Sequence, residues 1–165
     1  MKWFEMKVAG VGADATNKTP LLILRTMDNK TSVGIWIGFN DAATLLPLIE
    51  GKTFSRPHAH QVFGTFLTQM DAVLDRVEII DMVDNIYYAK MVLDTSKGSI
   101  ELDSRPSDAI SMALRNQAPI YMSAKALEKS FAGESLPTME DTSDKGKELA
   151  HYLHNLPGEL FGKPV

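Results

Sequence analysis

Five residues of this chain have types and spacings suited to phosphate chemistry: Arg56, His60, Asp103, Arg105 and Asp108. Arg56 and Arg105 each precede a proline. Pro57 and Pro106 both suit a first helical turn, where the missing N–H would have no intrahelical partner anyway. A helix start offers free N–H groups and the positive end of the helix dipole, and a guanidinium beside it adds a bidentate clamp for phosphate. His60 is the candidate general acid or base, because histidine alone titrates near neutrality without a large shift. Asp103 and Asp108 flank Arg105; they either orient its guanidinium or, with Glu101, hold Mg²⁺. Brought together, the set would bind a phosphodiester through Arg56 and Arg105 and move a proton through His60, the arginines stabilising charge on the phosphate. The bland reading is that each arginine ties down local carboxylates, Arg105 bridging Asp103 and Asp108, with His60 a capping or core-edge residue.

Other chemistry finds less support. His58 and His60 would share a face on a strand, but after Pro57 a helix is expected, and there i and i+2 diverge. Two-metal catalysis needs several converging acids, which a sequence cannot display. Glu148, His151 and His154 read as solvated helix positions. Gly10-Val11-Gly12 lacks the third glycine of a dinucleotide loop, and neither a phosphate-loop motif nor a nucleophile-elbow serine is present. Tyr87, Tyr88 and Tyr121 are of a type that stacks on bases, but on strands they read first as core or sheet-face residues. The nine methionines read as packing.

The elements that must position these residues follow from periodicity. Strands are expected over 3–11, 20–27 and 31–38, then a helix from about 40 to 50 that Pro47 should kink or interrupt and Gly51 should end. A second helix is expected from Pro57 to Met70, with Phe63, Phe66, Leu67 and Met70 at helical spacing. Strands follow over 74–82, 86–94 and 98–103. The last runs into a helix over 106–116, buried through Ala109, Ile110, Ala113 and Leu114. Asp28-Asn29-Lys30 and Ser96-Lys97-Gly98 read as hairpin turns. The two halves align with an offset of about 67 residues, Asn40-Asp41-Ala42 over Ser107-Asp108-Ala109. The expected fold is therefore α+β: duplicated three-strand-plus-helix halves, a mostly antiparallel sheet with packed helices, and a C-terminal helical tail. Such halves leave sheet edges that invite a homodimer or higher homo-oligomer. After Ser130 a polar, turn-rich segment reads as a linker. A tail helix over 143–155 with Leu149, Tyr152, Leu153 and Leu156 as its apolar stripe is expected to dock or to make oligomer contacts. The division is thus a domain over 1–130 and an extension over 131–165.

The run Asp103-Ser104-Arg105-Pro106-Ser107-Asp108-Ala109-Ile110, followed by Leu114-Arg115 and Ala118-Pro119-Ile120, resembles the hallmark of the bifunctional nuclease family. Arg56, Pro57 and His60 resemble a second block of that family, and Trp36, Ile37, Gly38 and Ala42 a third. The resemblance covers roughly residues 1–130 and implies a DNase or RNase activity. Two positions depart from the family pattern: Gln61 stands where an aspartate follows the histidine, and Asp41 where a glutamate precedes the alanine. An acid that carries chemistry in relatives would here be lost or shortened.

Composition bounds the rest. At 165 residues, 44% hydrophobic and 23% charged, the chain is long enough for one well-buried core. With no cysteine there is no disulfide, thiolate metal site or cysteine nucleophile. The opening M-K-W-F-E-M-K has no apolar signal core and no run approaches membrane-spanning length, so a cytoplasmic protein without membrane contact is expected. The net charge of −4 argues against broad electrostatic capture of duplex. Residues 1–60 are mildly basic, which leaves room for a local phosphate site. The leading expectation is hydrolysis of phosphodiester bonds in DNA or RNA. The alternative is a non-catalytic oligomeric module, binding a partner or a small anion, in which the same residues preserve the fold.

Overall fold

The first structural unit is a meander of three antiparallel strands, β1 (Trp3–Ala13), β2 (Pro20–Thr26) and β3 (Ser32–Trp36). The computed structural model describes residues 2–13 and 18–132. Leu22, Leu24, Val33 and Ile35 are buried, and Leu21 and Ile23, which alternate with the β2 pair, are buried as well, so β2 is covered along most of its length. The β2–β3 turn is closed by Asp28, whose carboxylate accepts from the Thr26 hydroxyl (2.6 Å) and the Lys30 N–H (3.1 Å) while Asn29 adopts φ 61°. Gly10-Val11-Gly12 lies inside β1, beside a register shift between Val8 and Gly10, so it is strand rather than a nucleotide loop.

Helix α1 (Phe39–Ile49) leaves β3 directly, and α2 (Ala59–Gln69) follows it. Contrary to expectation, α1 runs through Pro47 to Ile49. Proline removes the bond to the Ala43 carbonyl and crowds the turn before it, yet the helix continues past it to Ile49. Gly51, at φ +68°, makes the exit. The start of α2 is Ala59 rather than Pro57, because His58 is the N-cap and its N–H is held by the Gln61 side chain at 2.7 Å.

The second unit repeats the first: β4 (Val73–Val83), β5 (Ile86–Thr95), β6 (Gly98–Ser104), then α3 (Pro106–Asn116). Its hairpins turn at Asp84-Asn85, with φ 50° and 62° as a two-residue turn of the primed kind demands, and at Gly98, with φ +115°. Helix α3 buries Ala109, Ile110, Met112 and Ala113 almost completely. Two elements were not expected, β7 (Ile120–Ser123) and α4 (Ala124–Ala132). The tail helix expected over 143–155 lies outside the described residues.

All seven strands form one sheet in the order β3-β2-β1-β7-β4-β5-β6. The order is mirrored about β7, so each half contributes three strands counted outward from the centre. Only β4 and β7 pair in parallel. Pro119 passes its carbonyl to the Val77 N–H (3.0 Å), and Ile120 pairs with both Met6 and Val77, which seats the Ala118-Pro119-Ile120 segment between the halves. The residues at the ends of β3 and β6, opposite edges of this sheet, line the same cleft. The sheet therefore curls until its edges face each other, a geometry that helps protect them. No helix among the described residues is long and apolar enough to cross a membrane.

Candidate functional site

Because the repeat offset places α1 and α3 at equivalent points after the two edge strands, their N-termini meet where the edges meet. Asp41 is the third residue of α1 and Asp108 the third of α3. An acid there complements the helix dipole and can hold N-terminal groups. Asp41 does so, accepting the Gly38 N–H on Oδ2 at 3.2 Å. In the second half the residue equivalent to Gly38 is Arg105, the N-cap of α3, and its side chain grips both acids. Nε donates to Asp108 Oδ2 (2.7 Å), and Nη2 donates to Asp108 Oδ1 (3.0 Å) and to Asp41 Oδ1 (3.2 Å). The second residue of α2 joins from the other side, with His60 Nε2 lying 3.0 Å from Asp108 Oδ1. Asp41, Arg105, Asp108 and His60 are thus one hydrogen-bonded chain that draws three helix N-termini together.

The electrostatics follow from these contacts. Partial burial pushes the Asp108 carboxyl up, but hydrogen bonds from Arg105 and His60, with their charges, outweigh it and leave the group below the ordinary value. Asp108 is therefore ionised at neutral pH. The Arg105 guanidinium is raised, first by the Asp108 hydrogen bond and charge and then by Asp41. It is still 65% exposed, while His60 and Asp108 are 24% and 30% exposed. Of the five N–H donors of a guanidinium, these contacts use the Nε and Nη2 groups, and both Nη1 hydrogens remain available.

Arg105 and Asp103 line the cleft between the sheet edges, which encloses about 650 Å³ together with Trp36, Asp41, Asn85, Ile86, Tyr87 and Tyr88. Asp103 has no hydrogen-bond or ion-pair partner among the described residues. Beside it the Ser104 hydroxyl is sealed from solvent without a partner.

The five residues expected to act together therefore separate. His60, Arg105 and Asp108 are in contact, Asp103 lies in the adjoining cleft, and Arg56 is exposed with no bond to the network or place in the cleft lining. The expected Arg105 bridge between Asp103 and Asp108 is corrected: the second acid is Asp41, 64 residues earlier, because α1 is carried to the N-terminus of α3. His58 packs against Phe54, ring centroids 4.0 Å apart, and Glu101 pairs with Lys90 at 2.8 Å. No group of three or more His, Cys, Asp or Glu among the described residues is arranged to hold a metal ion. Asp41 was missed as a site residue, although the repeat offset that aligns it with Asp108 was the available signal.

The Asp103–Ile110 run and the Ala118-Pro119-Ile120 segment thus build the junction itself, and the model of the bifunctional nuclease domain matches residues 22–133, which contain both. The chain belongs to the bifunctional nuclease domain family. It is 29% identical over 137 residues to an uncharacterized protein of Mycobacterium tuberculosis, covering 83% of this chain and 80% of that one. It is 28% identical over 120 residues to Bifunctional nuclease 1 of Oryza sativa subsp. indica, covering 62% of this chain but only 36% of the rice protein. A protein named bifunctional nuclease from Oryza minuta matches to the same extent. Of the departures from the family pattern noted above, Gln61 accepts the N–H of the His58 N-cap of α2, and Asp41 reaches both the Gly38 N–H and Arg105.

Proposed function

We propose that the chain hydrolyses phosphodiester bonds of nucleic acid at the junction of α1, α2 and α3. The observation that carries this reading is the Asp41–Arg105–Asp108–His60 chain, whose Asp41 and Arg105 also line the cleft. With Asp108 ionised, His60 donates its Nε2 proton to it, which fixes the ring and leaves Nδ1 as the basic nitrogen. That nitrogen takes a proton from an attacking water as its oxygen bonds to phosphorus. The P–O bond to the leaving ester oxygen breaks, that oxygen keeps the electron pair and takes a proton from solvent, and the Nη1 hydrogens of Arg105 hold the phosphate and the charge that develops on it. Asp41 and Asp108 position the guanidinium. The family names of the rice relatives support the same reaction class.

A second reading has its own observation: Arg105 already satisfies two carboxylates, so the network also works as a clasp between the sheet edges. In that reading the protein is a non-catalytic binding module.

The test is cleavage of single- and double-stranded DNA and RNA by highly purified protein, with Mg²⁺, Mn²⁺ or chelator. Folded His60→Gln and Arg105→Lys proteins are assayed alongside. Loss of the general base should lower the rate by about 100-fold or more. Arg105→Lys, which keeps the charge but loses the fork, should lower it by roughly 10-fold or more. Cleavage that persists unchanged in both variants, or no cleavage by the wild type, would favour the clasp.

A further inference from the structure

We infer that the cleft beside Arg105 takes a short stretch of single-stranded nucleic acid, with an unstacked base on Trp36 and Tyr88. The inference rests on the proposed function in one respect, that Arg105 takes the phosphate. Three large apolar side chains crowd this one cleft while remaining open to solvent: Trp36 at 47%, Ile86 at 60% and Tyr88 at 44% exposed. Single exposed apolar residues are ordinary on a protein surface; a cluster in a concavity is a binding feature. Trp36 ends one edge strand, whereas Tyr88 lies on the strand next to the opposite edge, so the aromatic surfaces come from both sides of the curled sheet. A volume of about 650 Å³ falls within the range of small-ligand clefts.

The polar lining completes the argument. Asn85 and Asp103 bring hydrogen-bonding groups suited to a base edge, and the Arg105 Nη1 hydrogens suit a phosphate. Aromatic faces serve only a base that has left its stack, since in a duplex neighbouring bases already cover both faces. The charge balance points the same way. Among the described residues Arg105 is the only cation lining the cleft, alongside Asp41 and Asp103, and the whole chain carries −4, so the dense phosphate array of a duplex is poorly matched. A single strand presents fewer phosphates and pays for them with stacking.

Binding is measured by fluorescence polarisation at fixed salt, using phosphorothioate-linked oligonucleotides so that it is read without cleavage. A labelled single strand is compared with a blunt duplex of the same sequence, for the wild type, Trp36→Ala, Tyr88→Ala and Trp36→Phe. The single strand should bind more tightly than the duplex, and each alanine variant should lose roughly 5- to 150-fold in affinity for it. Trp36→Phe should retain most of the affinity, which a folding defect at this position would not allow. Equal binding of duplex, full affinity in the alanine variants, or no binding of either ligand would overturn the inference. Cleavage of natural substrates is assayed in parallel. Cleavage that survives Trp36→Ala and Tyr88→Ala would leave the proposed function standing without the stacking cleft. Aromatic-dependent binding with no cleavage would leave the cleft standing without the hydrolysis.

Discussion

Replacing Asp108 with asparagine isolates the one residue on which the network converges. The carboxylate accepts three contacts, from Arg105 Nε at 2.7 Å, Arg105 Nη2 at 3.0 Å and His60 Nε2 at 3.0 Å. Asparagine keeps one acceptor and turns an amide donor toward other donors. Charge-assisted hydrogen bonds contribute about 1.5–3 kcal/mol when buried, but exposed ion pairs only about 0.2–1 kcal/mol. With Arg105 65% and Asp108 30% exposed, the value lies between those limits. The loss of a favourable charge in the first turn of α3 adds a few tenths. The expected cost is about 1–2 kcal/mol, a fall in Tm of about 2–8 °C for a chain of this size. The pH dependence is the sharper check. The folded-state pKa of Asp108 lies below its unfolded value of about 3.8, so its contribution is fully present above that value and disappears as pH falls through the folded one. Urea denaturation should therefore separate wild type and Asp108→Asn at pH 7, and the gap should narrow as pH falls from about 3.8 to pH 3 and below. A deficit of the same size at both pH values would refute the electrostatic account and assign the loss to packing. No deficit at pH 7 would show that the carboxylate is not held by these partners.

Two further substitutions test neighbouring parts of the fold. Ser104→Ala removes a sealed hydroxyl that has no partner and should raise stability by about 1 kcal/mol, read as an upward shift in the urea midpoint; a destabilised variant would mean that the hydroxyl is satisfied in solution. Ser123 is fully buried, donates to the Ile80 carbonyl (2.7 Å) and accepts the Ala126 N–H (3.0 Å), so Ser123→Ala should cost about 1–2 kcal/mol and speed amide exchange in α4 before the rest of the core; uniform exchange rates would refute its capping role.

What the sequence disclosed and what it hid have physical reasons. Alternation along β6, with Ile100 and Leu102 against Glu101 and Asp103, and the turn residues at Asp28-Asn29-Lys30 and Gly98 announced a hairpin of each meander. Pro106 and Asp108 marked the start of α3 to the residue. The four residues of β7 are too few to establish a period, and their strand character comes from being inserted between β1 and β4. Helix α4 is short and runs directly into a polar, turn-rich segment, which masks its apolar spacing in the sequence. The contact between Asp41 and Arg105 was hidden because local sequence offers Arg105 a nearer acid in Asp103. Only the curling of the sheet decides that the more distant one wins.

That curling also explains why a duplicated fold yields one site rather than two. Each half ends an edge strand in a helix whose third residue is an aspartate, so duplication alone delivers Asp41 and Asp108 as a symmetric pair of acids at the junction. Two carboxylates facing each other would repel, and the pair is held only because the halves differ at the N-cap, Gly38 in one and Arg105 in the other. The glycine leaves Asp41 free to reach across to Arg105, and the arginine fills the space between the acids. The third partner breaks the symmetry further, because α2 follows only the first half while β7 and α4 follow the second. His60 can therefore approach Asp108 but has no counterpart beside Asp41. The asymmetry puts the imidazole against one acid of the pair only, and none of these contacts takes up the Nη1 group of the guanidinium that lines the cleft. The proposed hydrolysis of a phosphodiester would draw on that asymmetry, with a base on one side and charge stabilisation on the other.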